Sequence, residues 1–232
     1  MTKTAIMQPY FLPYIGYWQL INSADVFIIY DNIQYTKKGW FNRNRYLKNG
    51  SDELFSVSLK KDSDYLDVNQ RFISPEYNRK KLIAQFQNAY SKAPYKKEIM
   101  PIIEDIINCD KDNLFEYIYY SVCQIVEILG IDTKIIISST IDIDHSLKAK
   151  DKVIALCKAV NTTTYINSIG GVELYDKNEF KEYGIDLKFI KSKSIEYKQY
   201  DNKFVPWLSI VDILMFNSKE IVQKMLGEYE LL

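Results

Sequence analysis

Residues 4–31 read TAIMQPYFLPYIGYWQLINSADVFIIYD, and this stretch sets the expected fold. Thr4 to Met7 is a short apolar run that stops at Pro9, the pattern of a buried first strand. Pro9 and Pro13 fix φ on either side of Tyr10-Phe11-Leu12, so a rigid loop follows. From Trp18 to Ala24 the apolar residues Trp18, Leu20, Ile21 and Ala24 recur at helical spacing. Val26 to Tyr30 is a continuous β-branched and aromatic run closed by Asp31-Asn32. Strand, loop, helix and strand make a βαβ unit, and an apolar second strand belongs in a parallel sheet.

Further along, Gly39 to Leu47 and Leu54 to Leu59 alternate around Lys48-Asn49-Gly50-Ser51, which predicts a hairpin. Asn78 to Tyr90, Glu98 to Ile107 and Leu114 to Leu129 carry helical spacing, with Gly130 as a helix stop. Strands are then expected at Lys134 to Ser138, Thr164 to Asn167 and Leu187 to Ile190, with helices at Lys152 to Val160 and around Phe180. A terminal helix is expected over Asp212 to Leu226, with Ser209 as its N-cap. The fold class that follows is α/β: a Rossmann-like, doubly wound parallel sheet. Residues 1–232 form one domain in this reading, with a helical insert at about 75–131.

Thirty basic and thirty acidic side chains cancel, which argues against bulk attraction to DNA, RNA or anionic lipid. The single histidine, His145, rules out a two-histidine metal site, so no metal or other cofactor is expected. Cys109, Cys123 and Cys157 lie in apolar helical contexts without CxxC spacing and read as reduced, buried thiols. The N-terminus lacks a signal-peptide pattern, and no run approaches the roughly 20 apolar residues of a membrane span, so a cytoplasmic location is expected. Tyrosine is abundant at 19 residues; such rings suit sugars and planar ligands and equally fill cores.

Three segments could carry chemistry. The loop from Gln8 to Tyr17 joins the first strand to the first helix, where α/β sheets bind ligands and where helix N–H groups can hold an anion. It is either a site or a specially packed corner. Tyr10, Tyr14 and Tyr17, together with Asp31 after the second strand, are the candidates for catalytic proton transfer. In Trp40-Phe41-Asn42-Arg43-Asn44-Arg45, strand alternation sets both arginines on one face, where with Lys37 and Lys38 they could clamp a diphosphate. The alternative is a solvated hairpin edge. Asn167, Gly170 and Gly171, followed by Tyr175, form a loop after a strand that either admits a ligand close to the backbone or is a plain turn. His145 beside Asp144 has no nucleophile motif around it and reads as a loop histidine.

Tyr14-Ile15-Gly16-Tyr17 resembles a degenerate HxGH loop of nucleotidyltransferases, with tyrosines in place of both histidines. The resemblance implies a nucleotidyltransferase-like fold, while loss of the imidazoles argues against nucleotidyl transfer itself. The stretches AIMQPYFLPYIGYWQLINSADVFIIYD, KKGWFNRNR, YINSIGGVELYD and VPWLSIVDILMFN together resemble the WbqC-like family. That resemblance implies a role in bacterial surface-polysaccharide (O-antigen) assembly, with acyl or aminoacyl transfer to a nucleotide-linked amino sugar. The substrates it implies are a nucleotide-linked sugar and an acyl or aminoacyl donor. The motif residues map to Gln8, Pro9, Tyr10, Pro13, Gly16, Tyr17, Trp40, Asn42, Arg43, Asn44, Arg45, Asn167, Gly170, Gly171 and Tyr175. A non-catalytic nucleotide-sugar binding protein with a degenerate nucleotidyltransferase fold is the alternative.

Overall fold

The computed structural model describes residues 1–201 and 203–232. Among these, the apolar run at the start forms β1 (Lys3–Met7), followed by α1 (Ile15–Asn22) and β2 (Val26–Ile29). The hairpin is β3 (Arg43–Lys48) and β4 (Ser51–Ser56). Its turn residues, Asn49 and Gly50, both have positive φ (52° and 78°), the backbone that a two-residue type I′ turn requires. Helices α2 (Arg79–Ala89), α3 (Lys96–Asn108) and α4 (Leu114–Leu129) follow. Gly130 closes α4 in the left-handed conformation at φ 64°. The remaining elements are β5 (Lys134–Ile137), α5 (Ala149–Ala159), β6 (Thr164–Ser168), α6 (Lys177–Glu182), β7 (Asp186–Ser192), α7 (Ile210–Phe216), α8 (Lys219–Met225) and β8 (Tyr229–Leu231).

The architecture is mixed α/β around a mostly parallel sheet of order β5-β2-β1-β6-β7-β8, with the hairpin as a separate two-stranded sheet. Neighbouring strands pair in parallel up to β7, and β8 adds antiparallel at the edge. The chain steps outward from β1 to β2 and β5, then crosses back to lay β6 and β7 on the other side of β1. The strand order therefore reverses between β1 and β6, the position at which open α/β sheets generally bind ligands.

Strand alternation explains the layers. Ala5, Phe27 and Ile29 point into a large cluster shared with α1, the three helices α2–α4, the hairpin, α7 and α8. Ile6 and Ile28 point the other way, against Val153, Leu156 and Phe180 of α5 and α6. With both faces covered, the inner strands carry apolar residues on both sides.

Two elements differ from the sequence expectation. The terminal helix is two helices, because Asn217 is extended (φ −130°, ψ 150°) and its amide donates to the Ile213 carbonyl at 2.9 Å. Ser218 then starts α8, its hydroxyl accepting from the Ile221 N–H at 3.4 Å. The edge strand β8 was not expected; its apolar signal is short and its partner lies far away in sequence. Cys109, Cys123 and Cys157 are free thiols, but only Cys157 is buried; Cys109 and Cys123 are half-buried, against the expectation. No helix among the described residues is long and apolar enough to cross a membrane.

Candidate functional site

The loop leaving β1 is locked by side chains from elements remote in sequence. Leu12 has φ 46°, a left-handed backbone that an ordinary residue adopts only where its surroundings impose it. The Leu12 carbonyl accepts from Asn44 Nδ2 at 3.0 Å and from Ser209 Oγ at 2.7 Å. The Pro13 carbonyl accepts from Trp18 Nε1 at 3.1 Å and from the Ile210 N–H at 2.9 Å. Thus α1, the hairpin and the start of α7 converge on this loop. Gly16 leaves room for the Tyr14 ring, which folds back over the helix start: a Cβ there would lie 2.5 Å from that ring, so the ring would have to move.

Two clefts flank Tyr14. The smaller, about 330 Å³, is lined by Tyr10, Pro13, Tyr14, Trp40, Asn44, Arg45 and Trp207. The larger, about 540 Å³, lies between α1 and the segments following β7, and Tyr14 and Trp207 line it too. Trp40 carries two guanidiniums, Arg45 at 5.3 Å and Arg43 at 5.5 Å from its ring centroid. Arg45 lines the smaller cleft and lies 3.5 Å from Asp52 in a half-exposed pair. Arg43 is spent on its own turn, donating from Nε to the Gly39 carbonyl at 3.0 Å. Asn42 is likewise structural: it accepts from the Tyr35 hydroxyl at 3.0 Å and donates to the Val57 carbonyl at 2.7 Å. Lys37 pairs with Asp64 at 2.9 Å on the surface.

Burial raises the pKa of the Tyr10 and Tyr14 phenols above the ordinary tyrosine value, and raises that of Tyr17 well above it. All three therefore keep their protons at neutral pH. Tyr10 donates to Gln8 Oε1 at 3.2 Å, and Tyr17 to the Gln8 carbonyl at 3.0 Å. Tyr17 is buried against Tyr10, Trp18 and Phe27 and lines neither cleft.

The Gln8–Tyr17 loop, Asp31 and the Asn167–Gly171 loop do not share the clefts at Tyr14. All three leave carboxyl ends of parallel strands, yet neither Asp31 nor Asn167, Gly170 or Gly171 lines the clefts at Tyr14. Both carboxylate oxygens of buried Asp31 are occupied, by Asn69 Nδ2 at 2.8 Å and the Ser139 N–H at 2.9 Å. The Asn167 side chain accepts from the Ser168 N–H at 2.8 Å and covers Gly171 where a Cβ would stand. Tyr175 packs against Tyr165 and Phe180 on the opposite face of the sheet. His145 accepts from Asn32 Nδ2 at Nδ1 and donates from Nε2 to the Ile141 carbonyl, each at 2.9 Å.

Sequence reasoning quoted Trp207 and Asp212 within VPWLSIVDILMFN but singled out neither. Trp207 is 66% exposed, has φ 62°, and meets Tyr14 edge-on at 5.7 Å between centroids. The sequence signal was a lone Trp after Pro206 in an aperiodic stretch; its exposure and backbone strain carry no sequence mark. Asp212 stands in the apolar run Ile210-Val211-Asp212-Ile213-Leu214, a readable oddity. Its Oδ2 accepts from the Tyr197 hydroxyl at 2.6 Å and Gln199 Nε2 at 2.8 Å, while buried Oδ1 has no partner among the described residues. Burial pushes its pKa up to about 6.

Residues 8–224 match the model of the WbqC-like protein family. Among curated proteins, the chain is similar to the uncharacterized protein Rv1507c of Mycobacterium tuberculosis, 27% identical over 220 residues, covering 92% of this chain and 93% of that one. No solved structure matches.

Proposed function

Because the chain belongs to the WbqC-like protein family, we propose that it serves bacterial surface-polysaccharide (O-antigen) biosynthesis as a transferase, joining an acyl or aminoacyl group to a nucleotide-linked amino sugar. The observation that carries this reading is the smaller cleft: four aromatic rings (Tyr10, Tyr14, Trp40 and Trp207) and one guanidinium, Arg45, around about 330 Å³. Flat rings stack on a base or on the apolar face of a sugar, and a guanidinium takes a phosphate. The strand order with its reversal beside β1 supports a Rossmann-like, nucleotidyltransferase-like sheet, with 1–232 working as one domain.

The chemistry asked of the protein is modest. The sugar amine, as free base, attacks the acyl carbonyl carbon; a C–N bond forms, the bond to the carrier breaks, and the amine proton leaves with the carrier. Positioning supplies much of the acceleration, and neutral phenols can donate to the carbonyl oxygen as charge develops there. One observation favours a second, non-catalytic reading. The smaller cleft is lined by no carboxylate or imidazole, so a nucleotide-sugar binding protein fits it as well.

Mass analysis of products after incubation with nucleotide-linked amino sugars and acyl donors separates the two readings. A mass gain equal to the acyl group supports transfer; tight binding with no product supports the binding protein. Arg45→Ala should weaken nucleotide-sugar affinity roughly 10- to 150-fold, from about 1.5–3 kcal/mol for a charge-assisted bond. Unchanged affinity would remove Arg45 from the site.

A further inference from the structure

Two substrates that react must lie side by side, and the smaller cleft has room for only part of such a pair. The larger cleft, about 540 Å³, opens on the far side of Tyr14 and Trp207, the two residues common to both linings. Its walls are largely apolar, with Ile15, Ile195, Phe204 and Pro206 among them; Lys203 supplies a cation, Glu196 a carboxylate, and Lys193 is paired with Glu228 at 3.3 Å.

The partition itself is a built feature. Trp207 sits at φ 62°, a strained backbone for a bulky residue, and its indole is 66% exposed, so packing of its own side chain does not hold it there. The next residues hold it: Leu208 is buried, the Ser209 N–H donates to the Arg45 carbonyl at 2.8 Å, and the Ser209 hydroxyl to the Leu12 carbonyl at 2.7 Å. The fold thus displays a large ring between two clefts while anchoring the neighbouring backbone to both the hairpin and the loop after β1.

We infer that the larger cleft is the site of the second substrate, an activated acyl thioester on a phosphate-bearing carrier, and that Tyr14 and Trp207 form the partition across which the acyl group passes. This rests on the transferase reading of the smaller cleft. The acyl chain lies along the apolar wall and the carrier phosphates meet Lys203. The sugar amine reaches the carbonyl carbon past Tyr14; the C–N bond forms, the C–S bond breaks, and the proton leaves with the thiolate, giving an amide and a free thiol. Tyr14, protonated at neutral pH, donates to the carbonyl oxygen during that step.

The test titrates the full chain calorimetrically with hexanoyl-coenzyme A and with UDP-glucosamine, whose amine is free, separately and together. Ser194 is exposed and lines only the larger cleft of the two, so Ser194→Trp fills that cleft without touching the core. It should weaken hexanoyl-coenzyme A at least tenfold and leave the nucleotide sugar unchanged; Lys203→Glu should act in the same direction. Trp207→Gly releases the strained φ, so its melting temperature should hold or rise while both ligands weaken. Wild type should bind both ligands at once. The inference is overturned by mutual exclusion of the two ligands, by hexanoyl-coenzyme A failing to bind at millimolar concentration, or by unchanged affinity in a folded Ser194→Trp protein. Ser194-sensitive thioester binding without nucleotide-sugar binding would keep the larger cleft and overturn the reading of the smaller one instead.

Discussion

Replacing Gly16 by alanine sets two effects against each other. The new methyl would stand 2.5 Å from the Tyr14 ring, well inside contact distance, so the ring must swing out. Helix propensity favours alanine over glycine by up to about 1 kcal/mol. The displaced ring forfeits its edge contact with Trp207, 5.7 Å between centroids, and such aromatic pairs contribute about 0.5–1.5 kcal/mol. The two nearly cancel, and a residual of about 1 kcal/mol moves the melting temperature by only about 2–4 °C in a chain of this length. Binding has no such compensation. Tyr14 lines both clefts, and loss of one stacking wall costs about 1–3 kcal/mol, roughly 5- to 150-fold in affinity. The assay is titration of a nucleotide sugar into wild type, Gly16→Ala, Tyr14→Ala and the double variant. If the methyl acts only through the Tyr14 ring, alanine at 16 adds nothing once Tyr14 is gone. Additive losses in the double variant would refute the steric link.

Three further outcomes follow from the same geometry. Asn44→Ala should lower stability by about 1–3 kcal/mol in chemical denaturation, because buried Asn44 joins the hairpin to the Leu12 carbonyl at 3.0 Å. Arg43→Ala should cost stability of the turn while leaving ligand affinity intact, the converse of Arg45→Ala, since Arg43 Nε is spent on the Gly39 carbonyl at 3.0 Å. Asp212 has a pKa raised from 3.8 to about 6 on folding, so the folded state binds more protons between those values. Its contribution to stability is therefore favourable at low pH and lost as pH rises through about 6, by up to about 3 kcal/mol at 1.36 kcal/mol per unit. Asp212→Asn should flatten that part of the stability–pH profile, and an unchanged slope in urea melts between pH 4 and 7 would contradict it.

The sequence by itself determined most of the elements and their order, β8 and the break between α7 and α8 excepted. Buried strands such as Val26–Ile29 announce themselves by composition, and Asn49-Gly50 and Gly130 mark backbone conformations that few other residues adopt. It also named Tyr10, Tyr14, Trp40, Asn44 and Arg45 as candidates, but in two separate segments, the loop and the hairpin, whose meeting around one cleft is a matter of packing. It could not say which of two like neighbours faces the ligand. Arg43 and Arg45 share a strand face and both approach Trp40, and only the turn at Lys38-Gly39 decides that the first is consumed by backbone carbonyls. It could not separate Asp31 from the clefts either, since Asn69 and Ser139, which occupy its carboxylate, arrive from 38 and 108 residues away. Trp207 belongs wholly to the tertiary structure: its place beside Tyr14 depends on Ser209 reaching the Leu12 carbonyl across 197 residues. Local propensity writes strands, helices and turns, but a cleft is made where distant segments meet, and only long-range packing decides which side chains are left free to face it.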